Sequence, residues 1–258
     1  MTATRDRVPL VEAVAELRWG AAGAMPAQIL PGQSFTFGHE SSSSEDFFMN
    51  FGAECAGLGM PRAERIVPQG FPVMPGQVVY RFRSTDKGLH NLLQVGPGVF
   101  SANALPPYRS WVEFKDFISR GVDALLASRP VGEKDSEFLH VNLRYINGFG
   151  PEYRDGYTPH EFLGKLGFSV SKPNALSELL AGAKEEVDNV SIVSKIDGKS
   201  SFQVNASEGI KDNVPAQFVE LSAVVSNVSP DRDVLLAVFQ EAHDLIERVY
   251  LDMVAGLD

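Results

Sequence analysis

The sequence predicts an α+β fold of two structurally similar halves, each of strand-helix-strand-strand-helix order. The sheet is expected to be mainly antiparallel, with helices on one face. Three observations predict it. Period-two apolar alternation occurs in both halves, at PLVEAVAELRW and again at FLHVNLRYINGF. Each alternating run is followed by a capped helix, further β-like segments and a long amphipathic helix. Between the two sets, the stretch from Ser128 to Asp135, with Pro130-Val131-Gly132 at its centre, breaks the pattern. That divides the chain into residues 1–130 and 131–258, either two units or one compact body.

In PLVEAVAELRW, Val11, Ala13, Ala15, Leu17 and Trp19 alternate with Glu12, Glu16 and Arg18, which reads as a strand. Its alanines and glutamates make helix the competing reading, and Gly20 ends the element either way. In SSSSEDFFMNFGAECAG, Ser43 and Asp46 have cap-like spacing, and Phe47, Phe48 and Phe51 form a helical stripe. Val78 to Thr85 reads as a strand with Tyr80 and Phe82 on one face, Arg81 and Arg83 on the other. Asp86-Lys87-Gly88 then turns the chain into LLQVGPGVFSANALPPY.

Gly96-Pro97-Gly98 raises the question of a phosphate-binding loop. Such a loop needs a following Lys-Ser/Thr, or a G-x-G-x-x-G turn that opens a helix. Here VFSANA follows, another β-like run, and Pro97 has no amide to give. The segment reads as a sheet corner that bends one strand, with its amides committed to a ladder or bulge.

Ser110 to Glu113 has the spacing of a capping box, and Trp111, Phe114, Ile118, Val122 and Leu125 mark a core-facing stripe. In the second half, Leu139, Val141, Leu143 and Tyr145 alternate with His140, Asn142 and Arg144. Thr158-Pro159-His160-Glu161 is a capping box with proline at the first helical position, and Gly167 terminates that helix. Val190 to Ala206, turning at Asp197-Gly198, and Gln217 to Ser226 read as strands. Ser229-Pro230-Asp231 starts a last helix whose buried side runs from Val234 through Phe239 and Ala242 to Val249.

PLVEAVAELRW, YRF, LLQVGPGVFSANALPPY with its tryptophan-led helix, and LHVNLRYING occur in that order. Together they resemble a sporadically distributed, functionally uncharacterised bacterial family of about this length. Beyond LHVNLRYING only the element order and the closing amphipathic helix agree. The segment GAAGAMPAQILPGQSFTFGHE departs from the simpler strand-to-helix connection of that family. The resemblance implies no catalytic residues, and the family's patchy distribution implies a mobile defence or toxin-related context.

Composition narrows the function classes. With 33 acidic against 23 basic side chains, the net charge of -10 repels a phosphate backbone, so general nucleic-acid binding is not expected. The single cysteine, Cys55, forms no intrachain disulfide or multi-cysteine zinc site and reads as a small apolar residue. No apolar run approaches the roughly 20 residues of a membrane helix. The N-terminus lacks the apolar core of a signal peptide, so a cytoplasmic location without membrane association is expected.

His39, His90, His140, His160 and His243 stand in neither H-x-x-x-H nor H-x-H spacing and read as structural or solvated. There is no G-x-S-x-G elbow. Asp231, Asp233, Glu241, Asp244, Glu247 and Asp252 read as a solvated helix face. No catalytic residue, metal site or cofactor is assigned.

What stands out is polar and lies on strands. Arg81 with Arg83, His140 with Asn142 and Arg144, and Gln203 with Asn205 each project from one strand face; Gln94 and Asn103 join them depending on the bend at Gly96-Pro97-Gly98. The plain reading is a wet face of a one-sided antiparallel sheet. The sharper reading is a groove in which these nine residues bind a protein partner or a small anionic ligand, with the arginines as anchors. The favoured function is therefore a non-catalytic binding or interaction protein. The alternative is an enzyme with a scattered site on the same polar faces. The expected strand edges and the closing amphipathic helix also predict a homodimer.

Overall fold

The computed structural model describes residues 9–20, 42–74, 76–86, 88–169, 173–175 and 189–257. The expectations for His39, Glu40, Lys87 and the Ser43 side chain lie outside the described residues.

The chain runs β1 (Leu10–Trp19), α1 (Ser42–Gly57), β2 (Arg62–Arg65), β3 (Tyr80–Arg83), β4 (Leu92–Gly96), β5 (Val99–Ala104) and α2 (Trp111–Ser128). It continues with β6 (Phe138–Phe149), the short α3 (Pro151–Arg154), α4 (Pro159–Lys165), β7 (Val190–Lys195), β8 (Ser200–Lys211), β9 (Val214–Val228) and α5 (Arg232–Val254). The described strands form one antiparallel sheet in the order β2-β3-β4-β5-β1-β6-β9-β8-β7. The chain is an α+β protein with a large antiparallel sheet.

β1 is a strand despite its alanines. It sits at the centre of the sheet, paired with β5 on one side and β6 on the other, and those two ladders override local helix preference. From β1 the chain crosses to the outer edge and meanders inward through β2, β3 and β4, until β5 lies beside β1. From β6 it crosses to the opposite edge and meanders inward through β7 and β8, until β9 lies beside β6. The expected strand pair is thus a meander of four strands on one side and three on the other, among the described residues.

The main core lies between one sheet face and the helices. Ala15 and Leu17 of β1, Phe100 of β5 and Leu143 of β6 are fully buried there, with Phe51 of α1, Ile118 of α2 and Phe239 of α5. Three helices are capped, although at Ser110 only one arm of the expected capping box is recorded. Ser110 Oγ accepts from the Glu113 amide, and Thr158 with Glu161 makes both arms of a capping box. The Asp231 carboxylate accepts from the amides of Asp233 and Val234. Val234 itself faces outward, 42% exposed, because it falls beside rather than on the stripe of Leu235, Phe239, Ala242 and Ile246.

Gly96-Pro97-Gly98 departs from the expected corner. Gly96 pairs with Val99, so Pro97 and Gly98 are the two central residues of a hairpin turn that reverses the chain. Gly98 takes φ 69°, the left-handed conformation that glycine alone adopts freely. A Cβ on Gly96 would meet the Gln77 carbonyl oxygen at 1.8 Å, so the position has room for glycine only. The carbonyls of Pro97 and Gly98 accept from the amides of Gly76 and Trp19, which ties the turn into the sheet.

The break at Ser128 to Asp135 is anchored at its start, where Ser128 and Arg129 are buried, while Val131, Gly132, Lys134 and Asp135 are exposed. The Arg129 guanidinium lies over the rings of Phe138 at 4.6 Å and Trp19 at 5.2 Å, and Trp19 Nε1 donates to Glu133 at 2.6 Å.

Candidate functional site

Registers across the ladders place all nine expected residues on a single face of the sheet, opposite the core helices. One row of directly opposed residues runs Arg62, Arg83, Leu92, Asn103, Val14, Arg144, Ser222, Gln203, Val193, one from each strand. The next runs Glu64, Arg81, Gln94, Ser101, Glu16, Asn142, Val224, Ser201, Lys195. Opposed residues of an antiparallel ladder share a face, so each row is a transverse line of neighbouring side chains. His140 and Asn205 lie one step beyond these rows on the same side. Val14, Leu92 and Val99 are buried on this face yet stand outside the main core cluster, which keeps the two sides distinct.

None of the nine is exposed; Asn103 is buried and the rest are half-buried. A directed hydrogen-bond chain links several of them. With its amide oxygen toward Arg81, Gln94 accepts from Arg81 Nε at 3.0 Å and donates to Ser101 Oγ at 3.2 Å. Ser101 Oγ donates to Asn103 Oδ1 at 2.8 Å, and Asn103 Nδ2 donates to Glu12 at 2.6 Å. The wire thus runs from a guanidinium on β3 to a carboxylate on β1. Farther along, Ser222 Oγ donates to Asn142 Oδ1 at 2.7 Å, and Ser191 Oγ donates to Asn205 Oδ1 at 2.8 Å. His140, beside Ser226 Oγ at 3.4 Å, has its pKa lowered by burial and by the nearby Arg18 charge, with Glu16 opposing.

The arginines are not all held as an ion-pair network would hold them. Glu16 is taken by Arg18 at 2.7 Å and Glu12 by Asn103, while Arg81 turns to Glu64 at 3.8 Å. The Nε atoms of Arg83 and Arg144 are buried without a hydrogen-bond partner. Four strand steps separate these two arginines in one row. At roughly 4.8 Å per step that is about 19 Å along the sheet.

No family model, curated protein or solved structure matches this chain.

A second feature escapes sequence reasoning. On the helix-covered side, a cavity of about 290 Å³ opens between the start of α2 and the middle of α5. Its walls include Tyr108 and Trp111 before and at the start of α2, Tyr145 and Asn147 of β6, and His243, Glu247 and Tyr250 of α5. Trp111, half-buried against the core as its place in the stripe predicts, also stacks flat on His243 at 4.2 Å and donates to Gln240 at 3.0 Å. The Tyr145 hydroxyl lies 3.3 Å from that of Tyr108 and 3.1 Å from His243 Nδ1. Burial raises the Tyr145 phenol far above its ordinary pKa and raises that of Tyr108, so both remain neutral hydroxyls. Burial lowers the His243 pKa against the pull of Glu247 and Asp244. In sequence, Tyr145 reads as one more apolar strand position and His243 as a neighbour of Asp244. Only a tyrosine and an asparagine on the apolar side of β6 hint at a polar recess.

Among the described residues no group of three or more His, Cys, Asp or Glu could hold a metal ion. No described helix is long and apolar enough to cross a membrane. Cys55 is fully buried, and burial, reinforced by Glu54, pushes its thiol up to about 12.

Proposed function

We propose that this is a non-catalytic binding protein whose polar sheet face receives an extended acidic segment of a partner protein. The observation that carries the reading is the pair Arg83 and Arg144, in one transverse row, each with a buried and unpartnered Nε. Leaving a buried donor of a charged group unpaired costs more than an ordinary lost hydrogen bond, and a carboxylate laid against it recovers that cost. Their separation favours a chain over one small anion: about 19 Å corresponds to roughly six extended residues. The net charge of -10 opposes any polyanion at long range, so the attraction is local to the two guanidinium groups. The resemblance to a family without assigned activity supplies no residue roles, so the reading rests on the sheet face alone.

A labelled oligoglutamate peptide followed by fluorescence anisotropy tests it. Saturable binding at low salt is expected, and loss of that binding in Arg83→Ala/Arg144→Ala with an unchanged circular dichroism spectrum. Equal binding by the double variant, or preferential binding of oligodeoxythymidylate, overturns it.

We also infer that the two halves are a structural repeat. The support is the matched path from a central strand to an outer edge, inward to the strand beside the first, and on to a long helix. An experimental structure in which β6 fails to overlay β1 when α5 is laid on α2 overturns the repeat.

A further inference from the structure

We propose that the cavity between α2 and α5 is a binding site for a small organic cation, an ammonium compound of the size of choline. It lies on the opposite side of the sheet from the proposed partner-binding face and stands independently of that reading. Four aromatic side chains, Tyr108, Trp111, Tyr145 and Tyr250, contribute to its wall, and Leu10, Leu221 and Ile246 supply apolar surface. Aromatic faces carry negative quadrupole potential and attract cations, ammonium groups above all when water is excluded.

Charge points the same way. Among the described residues Glu247 is the one carboxylate in the wall, and no lysine or arginine lines it. Lys115, the nearby cation, is drawn off to Gln240 at 2.8 Å. Glu247 keeps its carboxylate largely available: its contact with His243 Nε2 is long, 3.9 Å, and its side chain is 58% exposed at the mouth. A protonated His243 would oppose a cation, and burial favours its neutral form. Asn147, almost fully buried, spends its amide on the Val219 carbonyl at 3.5 Å. Among the described residues its side-chain oxygen accepts no hydrogen bond and can take the hydroxyl of an amino alcohol such as choline. An anion would meet Glu247 without a compensating positive group. A purely apolar guest would leave the buried Asn147 oxygen unpaired. A small cationic alcohol matches these walls at once, with its ammonium group toward the aromatic rings and Glu247 and its hydroxyl toward Asn147.

Trp111 supplies the readout, since its ring is in the cavity wall, while Trp19 is packed in the core. Choline titrated into the full chain is expected to change tryptophan fluorescence saturably and to raise the thermal midpoint. Its neutral isostere 3,3-dimethylbutanol should bind about tenfold more weakly or worse, as should choline to Glu247→Gln. Glu247→Gln lies on an exposed helix face, so its fold is expected to persist, as circular dichroism will show. Absence of a saturable response to choline overturns the proposal. So does equal affinity for the neutral isostere, or an unchanged affinity in Glu247→Gln. None of these outcomes bears on oligoglutamate binding at the other face.

Discussion

Along β1 the two faces of the sheet differ by a single residue step. Ala15 and Leu17 are fully buried against helices, while Glu16 between them turns to the other side and binds Arg18 at 2.7 Å. One face is held by removal of apolar surface from water, the other by matching donors to acceptors. The first mechanism is non-directional and tolerates changes of shape better than changes of volume. The second depends on a partner for every group, so one deletion strands its neighbours. On the polar face the guanidinium Nε atoms of Arg83 and Arg144 remain unmatched in a shared transverse row.

Substitutions on the two faces should differ in cost. The largest effect is expected in the core. Phe100→Ala, which empties a fully buried site against Phe51, should cost about 3–5 kcal/mol in urea unfolding. A cost near that of a surface change would mean that the helix-covered face does not dominate stability.

Asn103→Ala comes next. It removes the centre of the wire, leaving the Ser101 hydroxyl and the Glu12 carboxylate without their partner, and should cost about 1–3 kcal/mol. The same measurement giving a neutral result would show that water replaces the wire freely.

Arg144→Ala is expected to be far milder, within about 1 kcal/mol, because the side chain is half-buried and already lacks an Nε partner. A loss of several kcal/mol would place it in a structural network rather than at a vacant site.

The smallest effect concerns pH. The folded-state pKa values of His140 and His243 are both lowered, so the unfolded chain binds more protons as pH falls below the ordinary histidine value of about 6.5. Their contribution is therefore complete above that value and is lost as pH falls through the folded-state values. Thermal midpoints should decline with acidification in that window, and His243→Gln should flatten part of the decline. A midpoint independent of pH there would contradict the sign.

Several features were legible in the chain itself. The alternation of β1 and β6, the capping box at Thr158, the Asp231 cap and the Asp197-Gly198 hairpin all rest on contacts between near neighbours. So does the projection of each polar set from one strand face, because the side-chain period of a strand is local geometry. Other features were not legible. The short strand β2, the hairpin at Asp212-Asn213 that joins β8 to β9, and the sharp reversal at Pro97-Gly98 depend on which strands pair.

Residue order alone sets which residues alternate, where helices start, and that Arg81, Arg83, His140, Asn142 and Arg144 occupy polar strand positions. Strand pairing and helix packing bring those positions into shared rows across one sheet and set Trp111, Tyr145 and His243 around a cavity. The physical reason is distance along the chain. Arg83 and Arg144 are aligned by ladders through β4, β5 and β1, and Tyr145 meets His243 only because α5 packs across β6. Local periodicity specifies a side chain's face, whereas long-range pairing specifies its neighbours.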